Sequence, residues 1–201
     1  MIKISIISLF FIVLNITPLC AQNTLWLTNG KRIEIGDYKL DNKEVVVYKN
    51  LKGKFKSIEK FDVFSIINDS KNEVIIYQQD STYDEAFNLL EMRAFVQGQY
   101  DANQRFKSPF TTVGGVVVAG AAFVVINPVY VIVISGVYCS TIGLTKANKK
   151  KLIIPQEYTN NEQYLLGYKR SVKHKRIKNA IIGSVIGLAA GFTTFAIVNN
   201  Q

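Results

Sequence analysis

The fold is decided by residues 108–145, SPFTTVGGVVVAGAAFVVINPVYVIVISGVYCSTIGLT, which contain no formally charged side chain. A second apolar run, AIIGSVIGLAAGFTTFAIV, covers residues 180–198 near the end of the chain. Uncharged stretches of this length are more stable in hydrocarbon than in water, because each buried methylene contributes about 0.8 kcal/mol. The two runs therefore predict a helical membrane region in the second half of the chain.

The first run is too long for one membrane crossing. One straight helix over it would measure about 57 Å, nearly twice the roughly 30 Å of a hydrocarbon core. Asn127-Pro128 lies near its middle, and this dipeptide favours a turn. The break at 127–128 predicts a Gly-rich apolar helical hairpin over 109–145, with a re-entrant pair or one long kinked helix as alternatives. A C-terminal helix over 179–198 brings the expected total to two or three transmembrane helices.

Glycines in both runs predict close helix packing. Gly183, Gly187 and Gly191 recur at intervals of four residues and therefore lie on one helix face. Small residues let membrane helices approach until their backbones touch. The candidate helix-packing residues are Gly183, Gly187, Gly191, Gly114, Gly115 and Gly120. The sequence leaves open whether the opposing surface is the hairpin or a second copy of the chain.

Residues 1–21 have the features of a secretory signal peptide. Lys3 supplies a positive charge, a short apolar core follows, and Ala21 precedes the expected cleavage site. A retained membrane anchor is the alternative, although the apolar core is short for a span. Cys20 also permits a lipoprotein, but lipidation favours a small residue before the cysteine and Leu19 is large. The signal peptide predicts that the residues after it are exported.

Residues 22–79 predict a small exported β domain. Runs such as 32–35 and 45–48 alternate or are rich in β-branched residues, and Asn29-Gly30 is a strong turn signal. Five or six short strands predict a small antiparallel β barrel or roll, and an SH3-like barrel is the preferred fold. The expected fold class is therefore an α+β membrane protein.

Residues 80–108 predict an amphipathic helix that connects the β domain to the membrane region. Ser81 and Thr82 precede two acidic residues, which is typical of a helix start, and the expected helix covers 82–107. Small residues recur at intervals of four around Gly98, which permits close backbone approach. The helix either covers the β domain or packs closely on another helix, and the sequence favours neither.

Residues 146–178 form a basic loop and helix that carry most of the formal net charge of +9. These cations stand directly before the last apolar run, so anionic lipid headgroups are the expected partners and nucleic acid is not. The candidate headgroup-binding residues are Lys169, Arg170, Lys173, Lys175, Arg176 and Lys178. The alternative is that these charges only orient the helix in the membrane.

Helix length and charge pattern disagree about topology. A hairpin returns the chain to the side of the β domain and leaves the basic residues there, whereas the positive-inside rule places them in the cytoplasm. A single kinked span over 111–145 would satisfy that rule. The hairpin is preferred, because exposing about ten apolar residues to water costs more than a mis-sided basic loop.

The residues that catalysis requires are scarce. His174 is the only histidine and lies among cations, and Cys139, the only cysteine after the signal peptide, lies within an apolar run. The sequence contains no phosphate-binding glycine loop and no metal-ligand spacing. No catalytic residue, cofactor, metal or small-molecule substrate is predicted, and the chain is expected not to be an enzyme.

Loose motifs recur through the mature chain. They are Phe95-x-x-Gly98-x-x-Asp101-Ala102, a Gly-rich apolar stretch, Pro155, Tyr164, Gly167-Tyr168 and a Lys-rich run before a closing apolar helix. This order of parts resembles a group of uncharacterised exported bacterial membrane proteins, and the run from Gly183 to Gly191 resembles glycine-zipper membrane proteins. The resemblance implies a membrane-embedded location in the bacterial cell envelope, with the β domain on the exported side. It implies no activity.

The leading hypothesis is a non-enzymatic cell-envelope membrane protein. Its β domain would bind a partner, while the Gly-rich helices would anchor the chain and assemble it with a second copy or another membrane protein. The alternative is an oligomeric pore-forming or membrane-perturbing protein, for which Thr193 and Thr194 are the best lining candidates.

Overall fold

The structure is a computed structural model that describes residues 23–41, 44–79, 86–125, 128–146 and 152–199. In these residues six β-strands precede four α-helices, so the expected α+β class is confirmed. The predicted signal peptide over 1–21, the alternative roles of Cys20 and the break at Asn127 fall outside the described residues.

The strands form one open antiparallel sheet in the order β4-β3-β2-β1-β5-β6. They are β1 (Asn23–Leu27), β2 (Arg32–Asp41), β3 (Val45–Asn50), β4 (Phe55–Glu59), β5 (Val63–Ile67) and β6 (Glu73–Ile75). Two of the turns use Gly30 at φ +73° and Gly53 at φ +77°, a left-handed conformation that glycine adopts without a steric penalty. The predicted strands and their antiparallel pairing are confirmed. Closure into an SH3-like barrel is not, because β4 and β6 are the edges of the sheet.

The sheet bends along β2. The first half of this strand pairs with β1 and the second half with β3, and the register shifts between Ile35 and Tyr38. Such a shift bends a strand and increases its twist. One face of the bent sheet encloses an apolar core of Leu25, Leu27, Ile35, Val46, Tyr48, Val63 and Ile66. The opposite face presents Trp26 and Phe64 to the first helix.

The four helices are α1 (Leu89–Arg105), α2 (Pro109–Val125), α3 (Pro128–Leu144) and α4 (Glu162–Asn199). A continuous connecting helix over 82–107 is not observed, since residues 86–88 are not helical and α1 begins at Leu89, while residue 82 lies outside the described residues. A capping box sets this start. The Asn88 side chain accepts from the backbone N–H of Glu91, whose carboxylate accepts from the backbone N–H of Asn88, both at 2.9 Å.

α2 and α3 lie side by side as a helical hairpin rather than as one kinked helix. The Tyr138 hydroxyl of α3 donates to the backbone oxygen of Thr111 in α2 at 2.9 Å, which places the end of α3 beside the start of α2. Antiparallel packing of the two arms therefore returns the chain to the side on which α1 lies.

α4 crosses α1 and then runs parallel to α2. Gly183, Gly187 and Gly191 of α4 face Thr112, Val116 and Phe123 of α2, at sequence separations of 71, 71 and 68 residues. A nearly constant separation is the signature of parallel neighbours. The basic first half of α4 packs on α1, and its apolar second half packs on the hairpin.

In the described part of the chain, one helix is long and apolar enough to cross a membrane, at Glu162–Ile197. α1 and α2 pass the same criterion only as a pair, and they are bent by 66° relative to each other. The apolar part of α3, Tyr130–Leu144, is shorter. One such helix is weak evidence for membrane association, and the expected two to three spans are not confirmed.

Candidate functional site

The candidate site lies where α4 meets α1 and α2, and glycines hold these helices close together. A Cβ at Gly183 would overlap the backbone oxygen of Thr112 in α2, and one at Gly187 would lie 2.5 Å from the backbone oxygen of Val116. A Cβ at Gly191 would lie 2.5 Å from the Cβ of Phe123, which is also in α2. All three glycines therefore face α2 of their own chain.

The predicted hairpin glycines have more varied surroundings. A Cβ at Gly115 would lie 2.6 Å from the backbone oxygen of Ala180 in α4, whereas one at Gly120 would lie 3.7 Å from the nearest atom of α4. Gly114 instead faces the phenol oxygen of Tyr138 in α3. Gly115 thus belongs to the tight part of the α2–α4 contact, Gly120 to a looser part, and Gly114 to the contact inside the hairpin.

A second glycine contact joins α1 to α4. A Cβ at Gly98 would overlap the backbone oxygen of Tyr164, and one at Gly167 would overlap the backbone oxygen of Phe95. Sequence reasoning recognised Gly98 as a packing candidate but assigned no packing role to Gly167. The only signal for Gly167 is its place in the loose motifs, of which the structure brings Phe95, Gly98, Tyr164 and Gly167 together at this crossing.

A buried hydrogen-bond network lies beside this crossing. The Tyr164 hydroxyl donates to Asp101 Oδ2 at 2.7 Å, and Gln97 Nε2 donates to Asp101 Oδ1 at 3.1 Å. Burial raises the pKa of Tyr164, and the hydrogen bond to Asp101 raises this pKa further. The Tyr158 ring stacks on the Tyr164 ring with centroids 4.3 Å apart. The phenol therefore stays protonated at neutral pH and fixes α4 on α1.

Lys175 caps the end of α1. Its Nζ donates to the backbone oxygens of Asn103 at 2.6 Å, Phe106 at 2.9 Å and Ala102 at 3.3 Å. The last carbonyls of a helix lack intrahelical partners, and a cation there also interacts favourably with the helix dipole. Burial lowers the pKa of Lys175. This candidate headgroup-binding residue is thus engaged by the protein itself.

The other predicted headgroup-binding residues fall into three groups. Lys169 and Lys173 are exposed and do not line a cleft, whereas Arg176 donates to the backbone oxygen and the hydroxyl of Thr145, each at 2.8 Å. Arg170 and Lys178 are also exposed but line a cleft between the β domain and α4. The structure therefore separates six cations that form one continuous basic run in the sequence.

This cleft has a volume of about 1500 Å³ and is walled by the β1–β2 turn, α1 and the basic half of α4. Arg32 lies on its β-domain side, with its guanidinium carbon 4.1 Å from the ring centroid of Tyr100 and 4.4 Å from that of Trp26. Lys31 and Arg32 both line the cleft. The sequence does not predict them as site residues, because only the tertiary fold brings the β1–β2 turn to the cleft that α4 also lines.

His174 and Cys139, the two residues with side chains suited to catalysis, lie in different parts of the structure. His174 lines the cleft, whereas Cys139 Sγ lies 3.8 Å from Ser184 Oγ, between α3 and α4. Across the residues that the structure describes, no group of three or more His, Cys, Asp or Glu side chains could hold a metal ion.

No protein-family model matches this chain, and neither the curated proteins nor the solved structures contain a significant match to it. The resemblance to exported bacterial membrane proteins therefore remains a prediction.

Proposed function

We infer that this chain is a non-enzymatic membrane protein of the cell envelope, in which α2, α3 and the apolar half of α4 anchor the β domain. One observation carries the proposal: the bundle exposes large apolar side chains on its outside, while glycines bring its helices together inside. Large apolar side chains point outward from all three helices, among them Phe110, Val117, Ile132, Ile186 and Phe192, which are 51–80% exposed.

The contacts inside this bundle are made largely by small residues, together with the buried Phe123 and Val131. Glycines line the α2–α4 contact, and the buried Ser135 and Ser184 lie on α3 and α4. A water-soluble bundle buries its large apolar residues, and extended apolar surface on a monomer marks contact with a membrane or a protein. Close packing through small residues is the usual way in which membrane helices associate. These two features together support insertion in a bilayer.

The anchor has three spans in this proposal. α2 and α3 have 17 residues each, which is at the short end of about 17–25 residues for a crossing. The third span is the apolar part of α4, over 179–198. The β domain, α1 and the basic half of α4 then share one side of the membrane, and cleavage of the signal peptide makes this the exported side.

The positive-inside rule disfavours basic residues on the exported side, but not all of the cations of residues 146–178 count toward that rule. The positive-inside tendency concerns cations that are available to the bilayer surface and the insertion machinery. Lys175 is hydrogen bonded to the end of α1, and Arg176 to the end of α3. These two side chains therefore have roles in folding that are independent of orientation.

The β domain is proposed to be an SH3-like roll that binds a partner. The bend along β2 supports a rolled shape, since the sheet already encloses one core on its concave side. Phe55 on the edge strand β4 is 75% exposed, so apolar surface is available at this edge, and Phe61, which is 70% exposed, adds apolar surface beside the β1–β2 turn.

The pore alternative has less support. The Thr193 and Thr194 hydroxyls both donate to the backbone oxygen of Ala190 and lie on the exposed side of α4. The three glycines of α4 are engaged within the chain, so assembly of several copies would have to use other surfaces.

Membrane extraction and site-directed labelling test the proposal. The full chain is expected to stay in the membrane fraction after an alkaline carbonate wash and to require detergent for release. In a Cys139→Ala background, an impermeant maleimide is expected to label Lys56→Cys and Lys169→Cys from the same side, and Asn127→Cys from the other side. Release by carbonate would refute the anchor. Labelling of positions 56 and 169 from opposite sides would refute the hairpin topology.

A further inference from the structure

We propose that the cleft between the β1–β2 turn, α1 and α4 binds the phosphate of an anionic phospholipid headgroup. The proposal rests on the inferred membrane function, since it needs the mouth of the cleft to meet the bilayer surface. Its volume of about 1500 Å³ exceeds the roughly 300–1,000 Å³ of small-molecule pockets, so a headgroup fits with its water.

The charge of the cleft favours an anion. Its lining includes the cations Lys31, Arg32, Arg170, Lys175 and Lys178, together with His174 and the acidic residues Glu34 and Asp62. Lys175 is engaged by the end of α1, which leaves cations on both walls to face a ligand. Arg32 is held between two aromatic rings, and an ordered guanidinium binds phosphate with little loss of conformational freedom.

The order of residues along α4 points to an amphiphile rather than a soluble anion. Arg170, His174 and Lys178 follow one another at intervals of four and line the cleft. Ile182 continues this spacing, lines the end of the cleft and is 43% exposed. Residues four apart are neighbours on a helix surface, so the cationic wall leads directly into an apolar one. A phosphate at Lys178 would place its acyl chains along α4 beyond Ile182.

The same helix supplies a matched control. Lys169 and Lys173 are exposed, as Arg170 and Lys178 are, and carry the same charge, but they do not line the cleft. If the basic helix were only attracted to an anionic surface, removing the charges of Lys169 and Lys173 would weaken binding as much as removing those of Arg170 and Lys178. A binding site in the cleft depends on Arg170 and Lys178 alone.

The experiment titrates the purified full chain, in a non-ionic detergent, with short-chain dihexanoyl phosphatidylglycerol. Trp26 is the only tryptophan, and its ring centroid lies 4.4 Å from the guanidinium carbon of the cleft residue Arg32, so a ligand that contacts Arg32 is expected to change its fluorescence. Each cation near a headgroup contributes about a factor of five in affinity, so the R170Q/K178Q variant is expected to bind about 30-fold more weakly. The K169Q/K173Q variant is expected to bind within about twofold of the unmodified chain.

Two further probes identify the source of the anion. Dihexanoyl phosphatidylcholine, which carries no net charge, is expected to bind much more weakly. Inorganic phosphate is expected not to compete at concentrations that saturate the lipid. Competition by inorganic phosphate at comparable concentrations would show a site for a free anion and overturn the proposal, as would equal losses in the two double variants or no binding at all.

The R170K/K178R variant guards against a folding artefact. It keeps both charges, so the proposal expects phosphatidylglycerol affinity close to that of the unmodified chain, with an unchanged circular dichroism spectrum. If R170K/K178R lost as much phosphatidylglycerol affinity as R170Q/K178Q, the charge of these residues would not explain binding. The titration uses a dispersed lipid, so its result is independent of carbonate extraction, and failure of the cleft is distinguishable from failure of the anchor.

Discussion

Single glycines set the distance between the helices of this protein. Where a Cβ would overlap an opposing backbone, as at Gly183, substitution must push two helices apart because a backbone atom cannot rotate away. Where the space is open, as at Gly136, a Cβ meets nothing within 4 Å. The chain therefore contains both tight and permissive glycines inside apolar helices, and the two kinds predict opposite effects.

Gly183→Ala is expected to lower the free energy of unfolding by about 1–3 kcal/mol, the usual effect of overpacking. Gly136→Ala is the control, and it is expected to be neutral or stabilising by up to about 1 kcal/mol, because alanine favours helix more than glycine does. Denaturation by SDS in mixed micelles, followed by circular dichroism, measures both. Equal effects of the two substitutions would contradict the α2–α4 contact.

Tyr164→Phe is expected to cost about 1–3 kcal/mol at neutral pH, since it leaves the buried Asp101 carboxylate without its phenol donor. The pKa of Tyr164 is raised from its usual 10.0, first by burial and then by Asp101. The folded chain therefore holds the phenol proton more tightly than the unfolded chain, and this contribution to stability is lost as pH rises above 10.

The alkaline measurement compares the two proteins from about pH 8 to pH 11. Burial also raises the pKa of Tyr168, which acts in the same direction, and lowers the pKa of Lys175, which acts in the opposite direction. Both effects are present in the unmodified chain and in Tyr164→Phe, so the difference in stability between the two proteins reports mainly on Tyr164. The stability difference between the unmodified chain and Tyr164→Phe should shrink as pH rises, and a constant difference would argue against the raised pKa.

At the scale of elements, α1 and α2 are joined by only a short connection and a bend of 66°. The three carbonyls that Lys175 binds end α1 at this bend, so the ammonium group couples the bend to α4. Lys175 thus acts together with the Gly98–Gly167 contact and the Tyr164–Asp101 hydrogen bond in fixing the anchor relative to α1.

Lys175→Met keeps the length of the side chain and removes its charge, and it is expected to destabilise the chain by about 1–3 kcal/mol because buried carbonyls lose their donor. The control is Lys173→Met on an exposed position of the same helix, for which a change within about 0.5 kcal/mol is expected. Thermal unfolding in detergent measures both. A neutral Lys175→Met would show that water replaces the ammonium group at these carbonyls.

The sequence predicts features that depend on neighbouring residues, such as turns and strands. It does not predict features that depend on contacts between distant residues. Gly30 and Gly53 mark turns because they adopt positive φ, so the strands around them were predictable. The start of α1 was placed too early because serine and threonine before acidic residues form the same kind of signal as Asn88 before Glu91. The role of Gly167 was not predictable, because its partner Phe95 lies on another helix.

At the scale of the whole molecule, the glycines of α4 could in principle serve a second copy of the chain or the hairpin of the same chain. The sequence is compatible with both, since close packing has the same composition within a chain and between chains. The structure places α2, α3 and α4 together in one chain. Cys139 and Ser184 lie at the α3–α4 contact, with Sγ and Oγ 3.8 Å apart.

Ser184→Cys turns this contact into a test of the intramolecular bundle. The new thiol would face the native Cys139 thiol, so mild oxidation with copper phenanthroline is expected to join α3 to α4 within one chain. Non-reducing electrophoresis should then show a monomer, and mass spectrometry should show both thiols consumed. The matched control is Val185→Cys, whose position is 59% exposed and faces away from Cys139, and it should keep two free thiols under the same conditions. A disulfide-linked dimer from Ser184→Cys, with little intrachain product, would show that these helices pack between copies, and the three-helix anchor would have to be rebuilt as an oligomer.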